Sequence, residues 1–577
     1  MKKVLCLILA LLTLLSLLCA CAKQAEAPET EPLQQPETEA EAEAGAENQL
    51  QPNAADPHYH SISGVPKPPS FMDAEYVLDD PSLRSGKKTK DNARVFYEIF
   101  VGSFSDSDAD GIGDLRGIIN RMDYLNDGDP DSGRSLGVEG IWLTPIFKSP
   151  SYHKYGVTDY YTIDPKFGTM DDLRELIALC HERNVKLILD LTINHSGSRC
   201  QWFSNFVAAH QRGDTESDFY DFYSWCGPDR PALSGHRYQT IPGTGDAYEC
   251  NFADTLPEYN MDSEIARQAL LDVAKYYLEM GVDGFRVDAV PHIYYGNNLR
   301  SAAFMDWYLG ELRAEYPDMY AVSEVWANDS ITDLYVAHTN CFNFTTSQYG
   351  GLISATARGG SAGVYALYVE NYLNRIHRYN GDALYVPFLS NHDTDRSAGY
   401  LSLSGGQIKM AANLYILNSG SPFIYYGEEL GMRGYRGESD TDANRRLAMV
   451  WNDGDTVRDP VGSTFDDQIT TGVAEQIEDP DSLYTYYKKL LMIRHANPEI
   501  ARGTYKAYSV PGTQVGGFFA TYKKSTVLVL HNPSRSAVTV DLSGLGLSEL
   551  RAAIGMGGAS LSGTTLVIDA QTSVVLK

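Results

Sequence analysis

From residue 93 onward the chain alternates between two rhythms of hydrophobic and polar positions. Short runs are apolar almost throughout: RVFYEIFV at 94–101, VEGIWLTPI at 138–146, VKLILDLTI at 185–193, DGFRVDAV at 283–290, MYAVSEVW at 319–326, ALYVPFLS at 383–390 and PFIYYG at 422–427, with a weaker one at CFNF, 341–344. Such runs read as strands buried on both faces, since a half-solvated strand would alternate. Between them lie stretches with helical spacing. In DDLRELIALCHERN, Leu173, Leu176, Ile177 and Cys180 form one apolar stripe. Strand, loop and helix in eight repeats predict an α/β fold, a parallel sheet closed into a (β/α)8 TIM barrel over 90–195 and 259–500.

Two intervals break the rhythm. After the third strand, residues 196–258 are rich in Gly, Pro, Ser, Tyr and Asp and show little helical period. They predict a small domain inserted after strand 3. From 501 to 577 the pattern becomes short alternating runs (VGGFFATY, STVLVLHN, AVTVDL, TTLVIDA, SVVLK) between turn residues, hence a C-terminal β-sandwich.

The N-terminus changes the picture further. MKKVLCLILALLTLLSLLCAC carries two lysines, an apolar run and a small residue before a cysteine, which predicts a secretory signal over 1–20. Leu18-Cys19-Ala20-Cys21 resembles a bacterial lipobox and makes Cys21 the lipidation site; secretion without a lipid is the other reading. Residues 21–85 open with a stretch of little but Ala, Glu, Pro and Gln, an acidic disordered tether. The expectation is an exported lipoprotein, held at the membrane by its lipid and facing the cell exterior. The net charge of −28 argues against nucleic acid as a partner. After Cys21 only Cys180, Cys200, Cys226, Cys250 and Cys341 remain, none at C-x-x-C spacing, so a zinc site is not expected. One disulfide within 200–250 is possible in an exported chain.

FSDSDADGIGDLRG, 104–117, spaces Asp106, Asp108, Asp110, the Ile112 carbonyl and Asp114 as alternate oxygen donors. The EF-hand position for a bidentate Glu is Gly117, and the flanks read strand and helix rather than helix and helix. A calcium or magnesium staple fits better than a solvated acidic turn.

Chemistry gathers where a barrel of this type has its active site, at the C-terminal strand ends. Strand three delivers Asp190, Asn194 and His195; strand four Arg286 and Asp288, two apart and pointing the same way; strand five Glu324; strand seven His392 and Asp393. Paired carboxylates without a metal cage suit glycoside hydrolysis, one neutral to protonate the leaving oxygen and one charged to attack. Arg286 would keep Asp288 ionised, and Glu324, beside Val325 and Trp326, is the candidate for a raised pKa. A buried barrel salt bridge is the competing reading of Arg-x-Asp alone.

In this order, DLTINH, GFRVDAV, SEVW and FLSNHD resemble the four signature regions of the α-amylase family of glycoside hydrolases, family thirteen. GVEGIWLTPIF, YGVTDYY, LPEYN and YYGEELGM resemble its accessory regions and eighth strand. The resemblance covers residues 90–577 and implies a retaining double displacement on internal α-1,4 bonds of starch-type glucans. It implies Asp288 as nucleophile, Glu324 as acid/base and Asp393 as the carboxylate that steadies the transition state. Arg286, His195 and His392 would hydrogen-bond the sugar or the nucleophile, and Tyr155 would stack beneath the sugar. It also implies a structural calcium on Asp106, Asp108, Asp110, Ile112 and Asp114, and no organic cofactor is expected; a monomer is the expected state. Two positions depart from common family forms. Gly156 stands where exo-acting relatives carry an aspartate that grips the terminal sugar, which favours an open cleft. Pro291 stands where a plus-side lysine is frequent. Asn194 helps bind a second calcium in classical amylases, but no clear companion ligands accompany it here. A short-substrate or transferring relative (maltogenic enzyme, α-glucosidase, transglycosylase) stays open. So does a non-catalytic starch-binding lipoprotein, although all three acids are present.

Overall fold

The computed structural model describes residues 91–130, 132–404, 406–437 and 441–577. The signal at 1–20, Cys21 and the tether at 21–85 lie outside the described residues. Seven parallel strands lie side by side in the order Asn340–Cys341, Tyr320–Ser323, Gly284–Val287, Lys186–Leu191, Gly140–Leu143, Phe96–Ile99 and Phe423–Tyr425. The eighth position is taken by the segment around Val386 and Phe388, which bridges Phe342 on one side and Phe423 on the other, both in parallel. The ring closes, and the (β/α)8 TIM barrel is the observed fold. The predicted seventh strand makes single bridges rather than a ladder. Pro387 at its centre has no amide hydrogen to donate, although its carbonyl accepts from Phe423 N at 2.9 Å.

Residues pointing into the barrel form their own buried cluster, with Phe96, Trp142, Tyr320, Phe342 and Phe423 among them. Phe96 stacks on Phe423 at 4.7 Å and on Tyr320 at 4.9 Å. Arg286 and His392 rest against the Trp142 ring at 5.1 and 5.6 Å, so the strand-end groups stand on an aromatic floor. Outside the ring the helices bury their stripes. Met170–Glu182 begins with a capping box between Thr169 and Asp172 and buries Leu173, Leu176, Ile177 and Cys180.

The segment between the third and fourth strands contains a helix, Gln201–Arg212, and an antiparallel sheet of Trp225–Cys226, Ala247–Glu249 and Tyr238–Thr240. The periodicity reading passed over this helix because it buries Phe203, Phe206, Ala209 and His210, with no aliphatic stripe to mark the face. Glu258 and Tyr259 bridge back to His195 and Tyr223, which ties the segment to the rim of the barrel. Cys180, Cys200, Cys226, Cys250 and Cys341 are all unpaired, so the disulfide that the spacing allowed is not formed.

After helix Leu483–Ala496 come two antiparallel sheets. One has the order Thr504–Ser509, Gly516–Tyr522, Ser525–Asn532, Thr572–Leu576, Leu550–Gly555; the other Val538–Asp541, Thr565–Ile568, Ala559–Ser562. Leu528, Leu530, Val574 and Leu576 from the first sheet meet Val540, Leu566 and Ile568 from the second in a shared core. Leu550–Gly555 is a strand the sequence reading missed, since LRAAIG has no alternation to announce it. Among the described residues no helix is long and apolar enough to cross a membrane.

Candidate active site

The site is organised by one buried cation. Arg286 donates through Nη1 to Asp190 at 2.8 and 3.0 Å and to Asp288 at 2.5 Å, and through Nη2 to Glu324 at 2.7 Å. A guanidinium presents its donors in a fixed fork, which suits this service to three carboxylates. Burial pushes Glu324 up to about 6 against the pull of Arg286, and the charges of Asp288 and Asp393 add to the rise. Burial likewise pushes Asp190 up to about 7, with Arg286 opposing. Trp326 contributes less to this environment than its place in the sequence suggests, because it is 51% exposed and stacks on Phe344 at 4.8 Å. The backbone just past Asp288 is strained: Ala289 has φ 45° and ψ 39°, and its amide donates to Glu324 at 3.1 Å. A left-handed alanine costs about 1–2 kcal/mol, held here by the surrounding packing.

His392 links a second pair of acids. Its Nδ1 lies 2.6 Å from Glu98, and its Nε2 lies 2.6 Å from the Tyr155 hydroxyl and 3.0 Å from Asp393. Burial disfavours its charge, but Asp393 and Glu98 outweigh burial and raise it to about 10, so the ring is an imidazolium. Burial works against Asp393 as well, yet His392 and Arg446 hold it well below the ordinary carboxylate range. The Tyr155 ring lies nearly parallel to the His392 ring at 5.6 Å, and its hydroxyl donates to Asp190 at 2.9 Å. Burial holds His195 down to about 4, a neutral imidazole at pH 7.

Tyr155, His195, Asp288, Glu324 and Asp393 line a cavity of about 500 Å³, completed by Phe252, Leu256, Pro291, His292 and Trp326. A neighbouring cavity of about 380 Å³ shares Trp326 and Asp393 with it and is lined by Gln348, Tyr349, Asp395, Arg436, Asp442 and Arg445. The two make one trough with an apolar arm and a polar arm. Gly156 lies under Leu256, where an added Cβ would stand 3.3 Å from Leu256 Cδ2. Chemically, the site offers two acids that still hold protons near pH 6, Glu324 and Asp190, and one carboxylate, Asp393, kept ionised by His392 and Arg446, beside two adjoining cavities.

Several functional neighbours escaped the sequence reading. Arg446 pairs with Asp393 at 2.7 Å and donates to the Tyr152 hydroxyl at 3.0 Å, while Arg445 donates to the Asp393 carbonyl at 2.9 Å and pairs with Asp395 at 2.8 Å. They come from NRRLAMVW, a loop with no strand end to single it out. Glu98 did leave a signal, as the one charged residue inside the apolar first strand.

In the acidic loop, Asp106, Asp108 and Asp114 bring ligand oxygens within 4.8 Å of one another, and Asp110 is not in that group. The Asp110 carboxylate instead accepts from Ile112 N at 2.7 Å. Asp114 caps the helix Leu115–Asn120 and is pushed up to about 6 by burial, with the Asp108 charge adding to the rise. Three clustered hard oxygens fit a hard divalent cation.

The model of the α-amylase catalytic domain matches residues 98–503. The chain belongs to the α-amylase family of glycoside hydrolases. It is a retaining glycosidase of that family. It is 34% identical over 452 residues to alpha-amylase 3 of Dictyoglomus thermophilum, across 76% of this chain and 85% of the relative. It is 28% identical to an oligo-1,6-glucosidase of Bacillus cereus, across 76% of this chain and 90% of that one. The structure of Eubacterium rectale Amy13B superposes with a TM-score of 0.78 at 34% identity, covering 85% of this chain and 96% of that one. The family includes both starch-cutting and short-substrate enzymes, so the relationship fixes the chemistry more narrowly than the substrate.

Proposed function

We propose that this glycosidase is an α-amylase that cuts internal α-1,4 bonds of starch-type glucans and maltooligosaccharides. The observation that carries this reading is the trough. Its two arms share Asp393 and Trp326, which leaves room for sugar on both sides of the reacting acids. Glu324 donates its proton to the glycosidic oxygen while the Asp288 carboxylate attacks the anomeric carbon. Water, deprotonated by Glu324, then releases the glycosyl ester. Asp393 stabilises the positive charge that develops on the sugar, with Arg286, His195 and His392 around the reacting ring and Tyr155 beneath it. A structural calcium on Asp106, Asp108 and Asp114 fixes the first loop. Cys21 carries the lipid, and the enzyme acts as a monomer at the outer face of the membrane, without nucleic acid or an organic cofactor.

The relationship to an oligo-1,6-glucosidase keeps a short-substrate enzyme as the competing reading. A time course on amylose, with products separated by length, distinguishes them. Mixed oligosaccharides early in the reaction, while long chains disappear, support the open cleft. Glucose or maltose alone from the first minutes would replace it with an exo-acting pocket.

A further inference from the structure

A larger cavity, of about 900 Å³, opens between the loops that follow the first, second, third and eighth strands, and none of Asp288, Glu324 and Asp393 lines it. Its wall is aliphatic, made by Ile112, Pro150, Pro165, Pro460 and Val461 above the buried rings of Phe100 and Phe167. Its charges are unbalanced. Lys148, Lys154, Lys166, Arg199 and Arg458 face two carboxylates, Asp164 and Asp459, five cations against two anions and so an excess of three positive charges. Lys154 and Asp164 satisfy each other at 2.8 Å, and Asp459 accepts from Ala448 N at 2.8 Å. Lys148, Lys166, Arg199 and Arg458 are exposed, and among the described residues none of the four has an ion-pair partner. Such a cluster stands out in a chain of net charge −28. Like charges facing one apolar hollow repel one another, and a bound anion relieves that repulsion.

We propose that this cavity binds an amphipathic organic anion, a carboxylate or phosphate ester with an apolar body. The body fills the aliphatic wall, and the head group meets the rim of Lys148, Lys166, Arg199 and Arg458. A neutral sugar is a poorer match, because it would leave the excess of positive charge at the rim without a counter-charge. Tyr152 also lines the cavity, and its hydroxyl accepts from Arg446, the cation paired with Asp393. The occupant therefore sits one side chain away from the active-site network without entering it.

The test is a fluorescence titration of the whole chain with 8-anilinonaphthalene-1-sulfonate, followed by competition with decanoate. The expected result is one class of site, displaced by decanoate and weakened roughly tenfold in the double variant Lys148→Glu/Arg199→Glu. Both substituted residues are exposed and outside the catalytic trough, so hydrolysis and thermal melting should be unchanged in that variant. In the unmodified chain, raising ionic strength from about 0.01 to about 0.3 M should weaken the dye in the same sense. Absence of binding, affinity unchanged by both charge reversal and salt, or displacement by maltoheptaose, which would put the dye in the catalytic trough, each overturns the proposal. Equally tight binding of uncharged N-phenyl-1-naphthylamine would overturn it too, because the head group would then contribute nothing.

Discussion

At the scale of single residues, one guanidinium is in direct contact with Asp190, Asp288 and Glu324, and it opposes the burial that raises Asp190 and Glu324. Glu324, pushed up to about 6, loses its proton as pH rises through that value. The kcat/KM profile should therefore fall about tenfold per pH unit on the alkaline side of 6–7. His392, raised to about 10, keeps its charge throughout that range. Its contribution to stability is full below the ordinary histidine pKa and declines steadily as pH rises toward about 10, so melting curves at each pH separate deprotonation of Glu324 from unfolding. Arg286→Gln removes the opposing cation and should move the limb upward by one or more pH units with a loss of rate; a limb that stays in place would assign it to another group. Glu324→Gln should abolish hydrolysis while leaving maltooligosaccharide binding intact, as read by calorimetry. Unimpaired turnover in that variant would remove Glu324 from the acid role.

At the scale of elements, the loops after the first and eighth strands hold each other. Asp455 accepts from Ser105 Oγ at 2.5 Å and Asp106 N at 3.2 Å, Thr456 donates to Asp106 at 2.6 Å, and Arg121 pairs with Asp453 and Asp455 at 2.6 and 3.0 Å. Gly111 has φ 93° and stands where a Cβ would lie 3.0 Å from Arg458, and at Gly113 a Cβ would lie 2.2 Å from the Val101 carbonyl. The glycines in this acidic stretch are therefore required by the turn and by the close approach of the first loop. With a cation bound among Asp106, Asp108 and Asp114, chelation should lower the melting temperature, and added calcium should restore it. A melting curve indifferent to chelator and calcium would leave the acids as capping groups alone. The same loops border the large cationic cavity, whose aliphatic wall Ile112 and Pro460 share.

At the scale of the molecule, the C-terminal sheets are fastened to the barrel through buried polar contacts. Asn413 donates to the Ile554 carbonyl at 3.1 Å and to Ser573 Oγ at 2.9 Å, and accepts from the Tyr486 hydroxyl at 2.7 Å. Asn413→Ala leaves those groups unpaired and should cost about 1–3 kcal/mol, measured as a lower denaturant midpoint with the product pattern unchanged. An unaltered midpoint would mean that water replaces the amide without loss. The barrel strands were legible in the sequence because a strand buried on both faces needs an apolar residue at nearly every position, and only Pro387 reduced one to isolated bridges. The strand ends were legible too, since Asp190, Arg286, Asp288, Glu324, His392 and Asp393 are polar groups placed where apolar runs stop. Less could be read in the insert, whose helix is marked by aromatic residues and a histidine, or in LRAAIG. Arg445 and Arg446 could not be assigned at all, because a loop has no period from which to infer where its side chains point. By itself, then, the sequence determined the barrel, the family and the set of acids, because periodicity and strand-end chemistry are local properties. Tertiary structure alone decided that one arginine serves three carboxylates, that His392 is charged between Glu98 and Asp393, and that four exposed cations line a separate cavity. Proximity between distant segments, and the burial that shifts a proton, exist only once the chain has closed on itself.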